Sequence, residues 1–428
     1  MLTVPDLGSQ VIPRLTRRLV PFLFVLYIIA YLDRINVGFA ALQMQQQLHF
    51  NDAVYGLGAG MFFAGYLFFQ LPSNLILNKV GARRWICFLM VVWGFISCGM
   101  VFVTSVKSFY ALRFCLGLAE AGFFPGVILY LRNWFPANVR ARTVALFMTA
   151  APLAGVVGGP VSGALLTLHN RGGLAGWQWL FLVEGLPAIL MGAIVVFYLT
   201  DTPAKAEWLS VDQRQWLIDT LELERQNTTT SGYVTAGAAL SSGRVWMLTF
   251  MYFGMNTCTY GISLWLPTVI HSLSGVSSVV IGFLSAIPYI AAAIAMVIVG
   301  YHSDRTRERR WHAAIPAFVA MAGLLAAAYS HSVVPMIAAI SIAYLAEFSM
   351  MGPFWSIPTT FLAGTGAAAG IALINSIGNL GGFFGPYIIG LVRNQSGSFK
   401  GGLMVVAAAM AFAGCIASVI KLDPPPSR

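Results

Sequence analysis

Asp33 and Arg34 adjoin each other inside an otherwise apolar stretch, Phe22 to Leu42, and Arg113 and Glu120 interrupt a second one. A charge at membrane depth costs roughly 2.5–3.5 kcal/mol on insertion scales, so it persists where it faces a protein interior or an aqueous cavity. Arg stays charged at physiological pH and offers a planar fork of donors that matches a carboxylate. Glu can change charge, since desolvation favours its neutral form and a nearby cation its ionised form. Together these residue types suit an anion site whose occupancy is felt by a carboxyl proton. Arg113 and Glu120 lie seven residues apart, two helical turns, which puts both on one face about 10 Å apart along the axis. Asp33 and Arg34 sit about 100° apart around their helix. Either these charges line a solute pathway, or they form permanent ion pairs holding two helices together.

Other polar groups fall at similar depth: Tyr66 and Gln70, Asn256 and Tyr260, Trp355, and Asn375 with Asn379. The last two are spaced i, i+4 and share a face. Tyr and Trp combine apolar area with a polar tip, which suits carbon skeletons bearing hydroxyls or a ring. Against this stands the abundance of aromatic residues, 30 Phe, 15 Tyr and 11 Trp, most of which must pack or line the membrane interface. Glu347 is the least expected acid. It either faces the cavity, tuning selectivity or coupling, or bonds to a neighbouring helix.

The elements that must position these residues are membrane-spanning helices. The chain is 58% hydrophobic and 9% charged, with a mean hydropathy of +0.77, where a soluble protein carries about a quarter charged residues. Apolar runs of roughly 20 residues, each enough to cross a bilayer, begin near Pro21, Val54, Trp85, Phe109, Thr143, Trp179, Val245, Val279, Ala313, Val334, Ala367 and Gly402. The expected fold is therefore an all-α polytopic membrane protein of twelve transmembrane helices in two six-helix bundles, residues 1–199 and 244–428. A charged linker, residues 200–243, separates them. Within it Ser210 to Arg225 is expected as an interfacial helix with Trp208, Trp216 and Leu217 toward lipid, and Asn227 to Gly232 as a mobile tract.

With the N-terminus inside, nineteen of the 25 Lys and Arg fall on the inner side, including Lys421 and Arg428. Lys107, Arg171, Arg393 and Lys400 fall outside, and Arg34 and Arg113 within spans. That asymmetry sets both termini in the cytoplasm. The net charge of +10 is explained by topology and anionic inner-leaflet lipid, so no nucleic-acid partner is expected. Because Asp33 and Arg34 interrupt the first apolar run and eleven more spans follow, that run is read as an uncleaved helix. The five cysteines lack metal-site spacing and offer no disulfide framework. No phosphate-binding Gly-x-x-x-x-Gly-Lys loop, His-Glu metal motif or Gly-x-Ser-x-Gly elbow is present.

Each half carries a similar basic loop after its second helix, Asn78-Lys79-Val80-Gly81-Ala82-Arg83-Arg84-Trp85 and Ser303-Asp304-Arg305-Thr306-Arg307-Glu308-Arg309-Arg310-Trp311. Likewise Gly155 to Pro160 in the fifth span is echoed by Gly378 to Pro386 in the eleventh. Such repeats mark a transporter built from two related bundles. These features resemble the major facilitator superfamily, although Asn78 stands where that family often has Asp. More narrowly, Tyr31-Leu32-Asp33-Arg34-Ile35-Asn36, Glu120 to Gly126, Gly352 to Pro358 and Ile374 to Asn379 are similar to its anion:cation symporter branch, especially bacterial permeases for tartrate-type and hydroxyphenylacetate-type acids.

The resemblance implies that Asp33 and Glu120 carry coupling protons while Arg34 and Arg113 engage the anion. It implies a secondary active transporter in the bacterial inner membrane, importing a small organic carboxylate by proton symport through alternating access. The basic loops, with Lys79, Arg83, Arg84, Asp304, Arg305, Arg309 and Arg310, would control conformational balance. No cofactor is expected beyond the coupling proton, and a monomer suffices. The alternatives are an anion exchanger or uniporter without proton coupling and, from another class, a membrane ligand sensor. The sensor is disfavoured because no kinase or DNA-binding pattern follows Lys421. An enzyme is not expected, for want of a nucleophile and base set.

Overall fold

A computed structural model describes residues 7–228, 235–362 and 364–420. Most of the tract from Asn227 to Gly232, and the inner-side residues Lys421 and Arg428, lie outside the described residues, although Asn227 and Thr228 close a helix. Twelve spans cross the fold. Ten are long and apolar enough to do so by length and composition alone; the others are Gly243–Ser274 and the broken pair Gly364–Gly378 and Gly381–Ser396. Span one runs Leu7–Gln47, span two Asp52–Val80, span three Ala82–Gly99 and span six Gly176–Tyr198. Span seven is Gly243–Ser274, span eight Ser278–Thr306, span nine Trp311–Ala328 and span twelve Lys400–Val419.

The remaining four spans are each broken into two helices. Span four is Val106–Glu120 then Phe123–Trp134, span five Ala137–Met148 then Ala150–Leu165, span ten Val333–Ser349 then Met351–Ser356, and span eleven the pair given above. Two breaks fall in each half, at corresponding positions. Irregular backbone at membrane depth is tolerated where it is buried in protein or lines a cavity. Glu120, Glu347 and Asn379 all sit at or within a turn of a break, so the chain departs from regular helix where its polar residues gather.

The halves meet along three pairs of spans: one with seven, two with eleven, and five with eight. Spans three, six, nine and twelve pack in pairs on the outside and carry exposed apolar side chains such as Phe88, Phe95, Phe197, Ile315 and Phe412, the surface a lipid solvent accepts. At the meeting of spans five and eight the backbones nearly touch. A Cβ on Gly159 would overlap the Gly282 carbonyl, and one on Gly282 the Gly159 carbonyl, so any side chain there forces the halves apart.

The linker helix Val211–Thr228 packs on the first half rather than facing lipid. Leu217 is fully buried, Trp208 stacks on Trp134 with ring centroids 5.6 Å apart, and the Arg18 guanidinium covers Trp208 at 4.9 Å. Arg140 pairs with Glu224 at 2.5 Å. The apolar side chains expected toward lipid thus meet the ends of spans one and four instead.

Candidate functional site

A cavity of about 50 Å³ lies between the halves. Its wall includes Tyr27, Tyr31, Arg34 and Tyr66 from spans one and two, and Asn256, Thr259, Tyr260, Trp355, Asn375 and Asn379 from the second half. Met148, Met296 and Met351 also line it. Organic ligands are usually held in pockets of about 300–1,000 Å³, so the walls must part before one fits; flexible thioethers are side chains suited to that repacking.

Arg34 is the only cation on this wall among the described residues. Its Nε donates to Glu120 Oε2 at 2.9 Å, and its Nη1 to the Tyr260 hydroxyl at 3.4 Å. The guanidinium lies over the rings of Tyr66 at 5.3 Å and Phe62 at 5.5 Å. Nη2 has no partner and neither has Glu120 Oε1. Glu120 is fully buried, so Arg34 supplies the opposite charge that a buried carboxylate needs.

Of the residues singled out from sequence, Arg34, Tyr66, Asn256, Tyr260, Trp355, Asn375 and Asn379 come together on the cavity wall. Asn256 Nδ2 bonds the carbonyls of Tyr252 and Gly378 at 3.0 and 3.3 Å, fixing span seven to the break in span eleven. Asn379 Nδ2 donates to Asn375 Oδ1 at 2.7 Å. Gln70 lies off the wall and accepts a 2.9 Å bond from Ser376, joining spans two and eleven.

Arg113 occupies a different place from the one its helical spacing suggested. Glu120 pairs across to Arg34 on span one, while Arg113 is absent from the cavity wall and fully buried, its guanidinium 5.2 Å from the centre of the Phe62 ring that Arg34 also approaches. Its Nη2 donates to the Ala59 carbonyl at 3.3 Å. Helical phase puts Arg113 and Glu120 on one face, but two turns of rise separate them, and Glu120 reaches span one while Arg113 reaches the Ala59 carbonyl of span two. Asp33 likewise makes no pair with its neighbour Arg34. It accepts from Ser97 Oγ at 2.7 Å and Asn36 Nδ2 at 3.3 Å inside the first bundle. Glu347 is fully buried and meets span seven, where Thr259 Oγ1 lies 2.7 Å from its Oε1.

Two elements of the site went unnoticed in the sequence. Tyr31 is quoted only as the start of a motif and Thr259 merely adjoins a quoted residue, and nothing in their spacing turned them inward. Asp52 and Arg393 form an ion pair at 2.8 Å between spans two and eleven, on the face away from the linker, and Tyr55 donates to the Leu264 carbonyl at 2.7 Å beside it. These contacts close that far face. Asp52→Asn should weaken the closure, and spin labels on the far ends of spans two and eleven should then report a larger separated population. The pair is partly exposed, so the change should not exceed about fivefold, the ~1 kcal/mol such contacts reach.

The basic loops lie on the linker face. Arg83 pairs with Asp201 at 3.1 Å and bonds the Val196 carbonyl at 3.2 Å, while Arg310 bonds the Ser418 carbonyl. Thus each half ties its loop to the end of its own last span. Arg309 pairs with Asp304 at 2.7 Å, and Lys79, Arg84 and Arg305 are exposed. Burial pushes the Glu308 carboxyl up, but hydrogen bonds from the backbone of Trp311 and the side chain and backbone of His312 hold it below the usual range, as expected at a helix start.

The sequence pattern of the Major Facilitator Superfamily matches residues 23–386. A protein of Agrobacterium vitis named "Putative tartrate transporter" is 49% identical over 98% of this chain and 93% of its own length. A "Quinolone resistance transporter" of Acinetobacter baumannii is 41% identical over 95% and 94%. Among solved structures, the E. coli xylose transporter XylE in a partially occluded inward open conformation shares the fold with a TM-score of 0.74 at 13% identity, covering 94% of this chain and 96% of that one.

Proposed function

Because the chain belongs to the Major Facilitator Superfamily, and is a transporter rather than an enzyme, we propose that it imports a small organic carboxylate with protons by alternating access. The observation that carries this reading is Arg34: a buried guanidinium on the cavity wall, paired to Glu120, with one nitrogen still free. A substrate carboxylate arriving at Arg34 competes with Glu120 for the same donors. Once displaced, Glu120 is a fully buried carboxylate without its cation, a state costing several kcal/mol, and taking up a proton relieves it. Anion and proton binding therefore favour each other, as symport requires. Asp33, held by Ser97 and Asn36, is assigned a second proton. Two protons with a monoanion carry net positive charge inward, worth about 2.3 kcal/mol per 100 mV.

In this reading residues 1–199 and 244–428 rock about the cavity, joined by residues 200–243, with both termini and the basic loops on the cytoplasmic side of the bacterial inner membrane. Arg34, Tyr66, Asn256, Tyr260, Trp355, Asn375 and Asn379 contact substrate, and Arg113 holds Phe62 in place behind Arg34. The name of the Agrobacterium vitis relative makes tartrate the first acid to try. Uptake of labelled tartrate and other short hydroxy acids into proteoliposomes tests the proposal: accumulation should follow an inward proton gradient and collapse with an uncoupler. Uptake indifferent to the gradient would leave an exchanger or uniporter. Arg84→Ala and Arg305→Ala should slow that uptake, by no more than about fivefold for exposed charges, without changing the order of preferred acids. A changed order would move these loops into the recognition site.

A further inference from the structure

We propose that Glu347 is a proton-carrying acid of the second bundle, and that its proton turns the Thr259 hydroxyl into a hydrogen-bond donor for the anion in the cavity. This rests on the reading that the cavity holds a carboxylate. Glu347 is fully buried in span ten, one side chain behind the cavity wall. The titratable groups that feel its charge are Cys258 on span seven, Tyr289 on span eight and Tyr31 on span one. None of these is a cation, so the pairing that Arg34 provides to Glu120 has no counterpart here.

The hydrogen-bond count around Thr259 points to where the proton sits. Thr259 Oγ1 lies 2.7 Å from Glu347 Oε1 and 3.1 Å from the Met255 carbonyl, but a hydroxyl has one proton to give. With Glu347 ionised, that proton must point to the carboxylate, and Oε2 remains buried without a donor. With Glu347 protonated, the acid donates to Thr259 Oγ1 and the threonine proton is released. It then serves the Met255 carbonyl when the cavity is empty, or an anion when one arrives. Tyr344 donates to the Thr259 backbone carbonyl at 3.0 Å, which holds this stretch of span seven against span ten. Since Thr259 lines the cavity, a proton taken up by Glu347 and an anion bound in the cavity become linked through one hydroxyl.

Two measurements on purified full-length protein test this, with tartrate as the probe. In pH-difference infrared spectra, a carboxylic-acid band that titrates in the wild type should vanish in Glu347→Gln and shift in Thr259→Val; absence of any band removed by Glu347→Gln overturns the proposal. In calorimetry, Glu347→Gln keeps a donor toward Thr259, so the slope of log Kd against pH should become shallower by one proton. Thr259→Val should weaken binding about tenfold, and adding Glu347→Gln to it should change nothing further. An unaltered slope in Glu347→Gln, or an equal effect of Glu347→Gln with and without Thr259, overturns the proposal. Should the wild type bind no tartrate at any pH, that acid is removed from the functional reading, while the infrared band still decides the state of Glu347. If Glu347→Gln does not fold, the shift of the band in Thr259→Val decides.

Discussion

Glu120→Gln is expected to abolish pH-driven accumulation while leaving substrate binding and counterflow exchange in place. The amide cannot lose or gain the coupling proton, and it mimics the protonated acid in shape. It also releases Arg34 from its 2.9 Å ion pair, so substrate no longer competes with a carboxylate and affinity should hold or rise. The two assays must therefore move apart: uphill uptake falls to the level of empty liposomes, whereas exchange of internal for external label continues. Asp33→Asn should follow the same pattern if two protons move. Persistent accumulation against a gradient in Glu120→Gln would sink the role assigned to it and shift the coupling to Asp33 or Glu347.

Arg34→Lys should weaken binding by about 30-fold or more, the ~2 kcal/mol lower end for truncating a buried, hydrogen-bonded charge. Lysine keeps the positive charge but loses the planar fork that reaches Glu120, Tyr260 and an incoming carboxylate together. Arg113→Lys supplies the contrast. Arg113 lies against Phe62 off the cavity wall, with its Nε and Nη1 unpartnered, so its replacement should lower thermal stability more than it changes Kd. Calorimetry and thermal unfolding on both variants check this together; a larger affinity loss in Arg113→Lys than in Arg34→Lys would return Arg113 to direct substrate contact.

Much of this architecture was legible along the chain. Hydropathy marks the spans, including span seven, whose polar residues Asn256, Thr257, Thr259 and Tyr260 keep it from the ten that composition alone identifies. The repeated loops and Gly-Pro motifs mark the two halves. The four breaks were not foreseen, because Glu120 to Gly122 and Met350 carry no proline at the break itself and their helices yield to packing around the cavity.

The sequence by itself determined the solvent, the number of spans, the pairing of halves and the short list of charges that must have a reason to lie in a membrane. Each follows from local rules: apolar length sets a span, and the cost of buried charge singles out Asp33, Arg34, Arg113, Glu120 and Glu347. Only the tertiary structure decided who meets whom. Helical periodicity orders residues around one axis, but the rotation and tilt of one helix against another depend on the sum of many small packing contacts. That sum brought both Arg34 and Arg113 to the Phe62 ring, turned Glu120 to span one, and set Thr259 between Glu347 and the cavity.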